Sequence, residues 1–118
     1  MVQVLVAEDV GAISLALEDA LTDAGYTVAG PFATCATALD WLDHNKPDAA
    51  LLDAVLGDGL CIELARALRS RSVPFLFLSG NHPLYGFPAD LHDAPWLEKP
   101  ITYDRLVGAL SILAPRSG

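Results

Sequence analysis

Residues 2–9 read VQVLVAED, an apolar run that ends in two adjacent acids, Glu8 and Asp9. Such a run, rich in valine, predicts a buried strand. Burying one charge costs free energy, and placing two like charges side by side costs more. A pair of acids directly after a core strand therefore needs a reason, and the ends of the other predicted strands provide it.

The bulk composition restricts the class of protein. The chain has 118 residues, enough for one domain whose core needs no disulfides, and it is 53% hydrophobic and 19% charged, unlike a disordered chain. The sequence contains no apolar run of membrane-spanning length and no signal-peptide pattern, so we expect a soluble cytoplasmic protein. A net charge of −8 argues against nucleic acid as a partner.

The two cysteines, Cys35 and Cys61, do not have the spacing of metal ligands. Both fall at apolar positions of predicted helices. We therefore expect them to be small buried hydrophobic residues of a protein in a reducing compartment.

Strands and helices alternate five times along the chain. Helical spacing of apolar residues follows the first, second, third and fifth predicted strands, with Gly25 expected just beyond the first helix and Thr34 and Thr102 expected at helix starts. The predicted strands are Val2–Ala7, Tyr26–Ala29, Ala49–Leu52, Val73–Leu78 and Trp96–Lys99.

This alternation predicts an α/β fold, a mostly parallel sheet covered by helices on both faces. Residues 81–94 contain Pro83, Gly86 and Pro88, which should leave a short or irregular fourth helix. We assign residues 1–114 to one domain and residues 115–118 to a tail or linker.

The ends of the predicted strands carry the polar residues that suggest a function. In parallel folds of this class, ligands bind at the carboxyl ends of the strands. Those ends hold Glu8 and Asp9, then Asp53, Ser79 and Lys99. Clustered carboxylates repel one another unless a cation lies among them, and their hard oxygen atoms suit Mg²⁺ better than zinc.

The residues at these strand ends include the groups that phosphoryl transfer needs. A carboxylate can attack phosphorus and form an acyl phosphate, and Asp53 is placed for that role. Lys99 supplies positive charge and Ser79 a hydrogen-bond donor, which together can hold a phosphoryl group as its charge redistributes.

In these residues the chain resembles the receiver domain of two-component response regulators over nearly its whole length. The resemblance implies a doubly wound, five-stranded sheet of flavodoxin-like order 2-1-3-4-5. It makes Asp53 the phosphoacceptor, with Glu8, Asp9, Asp53 and the Val55 carbonyl around Mg²⁺. Residues 77–80, Phe-Leu-Ser-Gly, resemble the Phe-Ala-Thr-Gly signature of a short stand-alone subgroup.

The resemblance also assigns finer roles. Ser79 and Lys99 would bind the phosphoryl group, Ser79 and Trp96 would form the switch, and the Lys99–Pro100 peptide bond would be cis. Val55 and Asn81 would flank the path of the hydrolytic water. The expected partners are a histidine kinase or histidine phosphotransfer protein, and a downstream protein.

Three other functions would use some of the same residues. An aspartyl-phosphate hydrolase of the haloacid-dehalogenase kind needs Asp-x-Asp, whereas the chain has Asp53-Ala54-Val55. A flavodoxin-like cofactor binder should have a first loop free of acids, because Glu8 and Asp9 would repel a phosphate that lacked a metal. A degenerate receiver that only binds partners is disfavoured by the intact set of polar residues.

Each residue also has a purely structural interpretation. Asp9 could be a helix N-cap, Asp53 a loop acid, Ser79 a turn former, Lys99 a solvated charge and Trp96 part of an edge strand. All of these coincidences would have to fall at one edge of the sheet, so we favour the functional interpretation.

Overall fold

The computed structural model describes residues 2–80 and 86–114, without the side chain of Leu60. Asn81 and the predicted tail, residues 115–118, lie outside the described residues. No helix in the described ranges is both long and apolar enough to span a bilayer. The elements are β1 (Gln3–Ala7), α1 (Gly11–Asp23), β2 (Thr27–Phe32), α2 (Cys35–Leu42), β3 (Ala49–Asp53), β4 (Val55–Leu56), β5 (Gly59–Leu60), α3 (Ile62–Ser70), β6 (Phe75–Ser79), β7 (Trp96–Glu98) and α4 (Tyr103–Leu113).

Five strands form one parallel sheet in the order β2-β1-β3-β6-β7. With the short β4 and β5 set aside, this is the predicted order 2-1-3-4-5, and the predicted fold class is confirmed. The chain runs outward from β1 to β2 and then returns past β1 to β3. The carboxyl ends of β1 and β3 therefore flank the topological switch point, where ligands of such folds bind.

The sheet has a core layer on each face because successive residues of a strand point to opposite sides. In β1, Leu5 and Ala7 pack with α2 and α3, whereas Val4 and Val6 pack with α1 and α4. Every residue of β3 and β6 is buried. This two-sided burial explains why the central strands are continuous apolar runs.

Helix ends follow the local sequence with one exception. The Thr34 hydroxyl accepts a hydrogen bond from the Thr37 backbone N–H, and Thr102 caps α4 in the same way. Gly25, just beyond α1, has a φ of 93°, a conformation that glycine adopts without strain. The N-cap of α1 is Val10, which makes no side-chain capping bond, so the interpretation of Asp9 as a helix cap is wrong.

The described residues between β6 and β7 contain a short 3₁₀ helix, Ala89–Leu91. Pro88 directly precedes it, and proline restricts the backbone of the preceding residue to extended conformations. Two arginines of α3 hold this segment: Arg66 forms a bidentate pair with Asp90, and Arg69 contacts Asp93 at 3.2 Å. Ion pairs with α3 and the burial of Leu91 in the core thus hold this part of the chain.

The strand ends lie within two residues of the sequence-based prediction except at the end of β2. The strand β2 continues through Pro31 to Phe32, because it lies at the edge of the sheet and pairs with β1 through a shifted register. Between β3 and α3 the chain forms a hairpin in which Val55 pairs with Leu60 and Leu56 with Gly59.

Candidate functional site

The predicted polar residues lie together at one edge of the sheet. Ala7 pairs with Leu52 and Asp53 pairs with Leu78, so Glu8, Asp53 and Ser79 end neighbouring strands at nearly the same level. Lys99 follows β7, and its backbone N–H donates to the Ser79 carbonyl at 2.8 Å. The register of the parallel strands therefore brings the sequence-predicted groups into one pocket.

Three carboxylates form the centre of this pocket. One oxygen each from Glu8, Asp9 and Asp53 lies within 4.8 Å of the other two. Glu8 is 2% exposed and Asp53 is 8% exposed, whereas Asp9 is open to solvent. Hard oxygen donors at this separation, with one side open to water, fit the coordination that Mg²⁺ prefers.

Lys99 bridges the two buried acids. Its ammonium group lies 2.7 Å from Glu8 Oε1 and 3.1 Å from Asp53 Oδ2. Burial acts to lower the pKa of Lys99, but its hydrogen bonds to Glu8 and Asp53 outweigh burial and raise the pKa above its ordinary value of 10.5. The lysine is therefore held in its charged form at neutral pH.

Backbone donors complete the hydrogen bonding of the buried acids. Glu8 Oε2 accepts from the N–H groups of Asp9 and Val10, at 3.0 and 3.3 Å. Asp53 Oδ1 accepts from the Val55 N–H at 3.3 Å. Both buried carboxylates thus have a partner for each oxygen, which explains how acids can follow core strands in this fold.

The two residues predicted to form a switch differ in exposure. Ser79 is buried at the end of β6, and the Lys99–Pro100 peptide bond beyond it is cis. Trp96 pairs with Phe77, is 40% exposed and borders a cavity of about 350 Å³. The position of Trp96 at the rim does not test its switch role, which stays a prediction.

In the hairpin after Asp53, Val55 is 56% exposed. The Cys61 N–H donates to the Ala54 carbonyl, so the alternation of an antiparallel ladder makes Val55 and Leu60 a non-hydrogen-bonded pair. The Val55 carbonyl is therefore not used by β5. Its predicted role as a metal ligand is compatible with this geometry.

The sequence analysis missed Asp58, which anchors this hairpin. Its carboxylate accepts hydrogen bonds from the N–H groups of Cys35 and Ala36 at the start of α2, at 2.9 and 3.1 Å. These bonds, chiefly the one from Cys35, lower the pKa of Asp58. The signal was present in the sequence, since Gly-Asp-Gly between two apolar pairs is typical of a hairpin loop.

Comparison with known proteins agrees with this geometry. A sequence model of the response regulator receiver domain matches residues 4–111. The solution structure of SdrG from Sphingomonas melonis is 35% identical, with 96% of each chain covered and a TM-score of 0.81. A response regulator receiver protein from Sinorhizobium medicae is 30% identical, with 95% of this chain and 93% of that chain covered and a TM-score of 0.82.

The BeF3-activated conformation of SdrG, from Pseudomonas melonis, is 36% identical, with 94% of each chain covered and a TM-score of 0.78. No curated protein matches the chain at a significant level. On the match to residues 4–111, the chain belongs to the family of response regulator receiver domains of two-component signalling.

Proposed function

We propose that this receiver accepts a phosphoryl group from a phosphohistidine onto Asp53 in a Mg²⁺-dependent reaction and then changes a protein-binding surface. The observation that carries the proposal is the position of the Asp53 carboxylate. It accepts a hydrogen bond from the Lys99 ammonium and lies beside the carboxylates of Glu8 and Asp9, at the switch point of the sheet.

The side chains support a balanced transfer. A carboxylate oxygen of Asp53 forms a bond to phosphorus while the bond from phosphorus to the histidine nitrogen breaks, and the neutral imidazole leaves. Negative charge on the phosphoryl oxygens would be met by Lys99, which is already 3.1 Å from Asp53, and by the Ser79 hydroxyl. Mg²⁺ held by Glu8, Asp9, Asp53 and the Val55 carbonyl would neutralise the remaining charge.

The proposed output is a change on the surface around β6 and β7. Ser79 would move towards the phosphoryl oxygens, and Trp96, which borders a cavity of about 350 Å³, would turn inward. The donor would be a histidine kinase or a histidine phosphotransfer protein in the cytoplasm, and the receptor of the changed surface a downstream protein. Phe77, Ser79 and Gly80 support placing the chain in the Phe-Ala-Thr-Gly subgroup.

Intact mass spectrometry tests the proposal. The protein is incubated with acetyl phosphate and Mg²⁺, and we expect one phosphoryl group per chain, with none when a chelator removes the metal. Asp53→Asn should gain none, whereas Asp48→Asn, an exposed aspartate just before β3, should react like the parent. Equal phosphoryl gain by Asp53→Asn and the parent would contradict the assignment.

A further inference from the structure

The two cysteines lie in direct contact, although 26 residues separate them in sequence. Their sulfur atoms are 2.7 Å apart, in a contact where either thiol can donate. Cys35 is the first residue of α2, and Cys61 directly precedes α3. A bond between these sulfurs would therefore join two helices on the same face of the sheet, and the present separation needs only a small side-chain movement to reach bonding distance.

The surroundings make the two thiols unequal. Cys61 is fully buried, whereas Cys35 is 9% exposed and borders a cavity of about 420 Å³ between α2 and α3. Burial raises the pKa of both thiols, and the Asp58 carboxylate further raises that of Cys35. An oxidant from solvent would thus reach Cys35 first, and the reaction would be slow because little thiolate is present.

We propose that Cys35 and Cys61 form a reversible redox pair, in which a peroxide converts the two thiols to an intramolecular disulfide. The Cys35 sulfur attacks a peroxide oxygen, the O–O bond breaks, and Cys35 becomes a sulfenic acid with release of water. The Cys61 sulfur then attacks the Cys35 sulfur, and the S–O bond breaks. The second oxygen leaves as water with the Cys61 proton, so one peroxide accepts two electrons and two protons.

The crosslink would act next to the phosphoacceptor. The Cys61 N–H donates to the Ala54 carbonyl, and Ala54 directly follows Asp53. Asp58, in the same hairpin, already accepts a hydrogen bond from the N–H of Cys35. The disulfide would add a covalent link to the contact between α2 and the hairpin that leads away from Asp53. This inference does not depend on the proposed phosphoryl transfer, since it needs neither Mg²⁺ nor a phosphodonor.

Thiol counting after oxidation tests the pair. The protein is treated with hydrogen peroxide, unfolded, and then labelled with N-ethylmaleimide before intact mass analysis. We expect a monomer that has lost two hydrogens and takes no label, and that takes two labels after treatment with dithiothreitol. The closed loop should raise the melting temperature of the oxidised protein by on the order of 10 °C.

Matched serine variants separate the two thiols. With dimedone present, Cys61→Ser should retain a sulfenic acid adduct at Cys35, whereas Cys35→Ser should react more slowly because Cys61 is enclosed. Two labels on unfolded parent protein after oxidation, or disulfide-linked dimers in place of the crosslinked monomer, would overturn the proposal. Because the parent protein is measured directly, the result stands even if one variant fails to fold.

Discussion

The pocket has two halves that differ in how firmly their side chains are held. In the acid half, at the ends of β1 and β3, Glu8 and Asp53 are buried and each bonds to Lys99 and to a backbone N–H. In the half formed by β6 and β7, Ser79 is buried but Trp96 is 40% exposed at the rim of a cavity.

This difference suggests that the two halves of the pocket have different roles. Preorganised charges favour phosphoryl transfer because they need no rearrangement when the reaction occurs. A side chain beside open space can instead take a second position without disturbing the core. We therefore expect substitutions in the acid half to change stability and metal binding, and those in the other half to change only the response.

The largest effect should come from Lys99→Met. Removal of the ammonium leaves Glu8 and Asp53 close together without their shared partner. Breaking a buried pair costs roughly 3–5 kcal/mol, and because the Lys99 side chain is 19% exposed we expect about 2–3 kcal/mol without Mg²⁺. Urea unfolding measures this loss. The control Lys46→Met, at an exposed lysine, should be within about 0.5 kcal/mol of the parent.

The pH dependence of stability gives a second check on the contact of Lys99 with Glu8 and Asp53. The folded-state pKa of Lys99 is raised, so its contribution to stability is complete below the unfolded pKa of about 10.4 and is lost as pH rises through the folded value. The difference in unfolding free energy between the parent and Lys99→Met should therefore begin to shrink as the pH rises above about 10.4 and should go on shrinking over the range in which folded Lys99 loses its proton. A difference that stays constant over this range would show that Lys99 stabilises the fold without its charge.

The next largest effect concerns the metal. Mg²⁺ that binds only the folded protein should stabilise it by about 1.4 kcal/mol at tenfold above its Kd. Asp9→Asn should lose most of this gain while unfolding like the parent without metal, because Asp9 is exposed. Asp19→Asn, which removes an equally exposed charge from α1, should keep the gain. Melting curves unchanged by Mg²⁺ in the parent would exclude a metal site.

The strand ends could be predicted because the apolar runs are unambiguous. Once β1, β3 and β6 are identified, parallel pairing alone places Glu8, Asp53 and Ser79 at one edge. The caps Thr34 and Thr102 are local signals and needed no tertiary information. These features depend either on neighbouring residues or on the fact that parallel strands end at the same edge of a sheet. They can therefore be predicted from a single sequence.

The contacts that hold the site could not be predicted in this way. Lys99 and Glu8 form a hydrogen bond although 91 residues separate them in sequence. Which carboxylate oxygen atoms the lysine contacts depends on where β7 ends. Cys35 and Cys61 meet only because α2 and α3 begin side by side, and the sequence showed merely that both would be buried. Such pairings follow from packing in three dimensions, for which hydrophobic periodicity carries no signal.

A smaller effect is expected on the lifetime of the phosphorylated form. Val55 is 56% exposed and its apolar side chain cannot orient a water molecule, whereas an amide there could. We expect Val55→Asn to shorten the lifetime of phospho-Asp53 several-fold and Asn81→Ala to lengthen it. Loss of the phosphoryl mass with time, in Mg²⁺ buffer, measures both. Val55→Ala controls for loss of the valine, and equal decay of Val55→Asn and Val55→Ala would refute the water-positioning role.

The smallest expected effect is a spectroscopic one at Trp96, and it tests the half of the pocket formed by β6 and β7 directly. Trp41 packs against Phe32, with the ring centroids 6.0 Å apart, so Trp41→Phe keeps an aromatic ring there and removes the background emission at modest cost. Beryllofluoride, which imitates the phosphoryl group, should draw Ser79 inward and let Trp96 leave the solvent. Its emission should then shift slightly to the blue.

The Trp41→Phe/Asp53→Asn double variant is the control, because it keeps the fluorophore and removes the carboxylate that we propose holds beryllofluoride. It should show no shift. If Trp41→Phe alone also emits identically with and without beryllofluoride, Trp96 is not a switch, and its exposure reflects only its place on the edge strand β7. A shift of equal size in both variants would instead mean that the probe acts away from Asp53. Only a shift that depends on Asp53 would show that a change in the acid half of the pocket alters the half formed by β6 and β7.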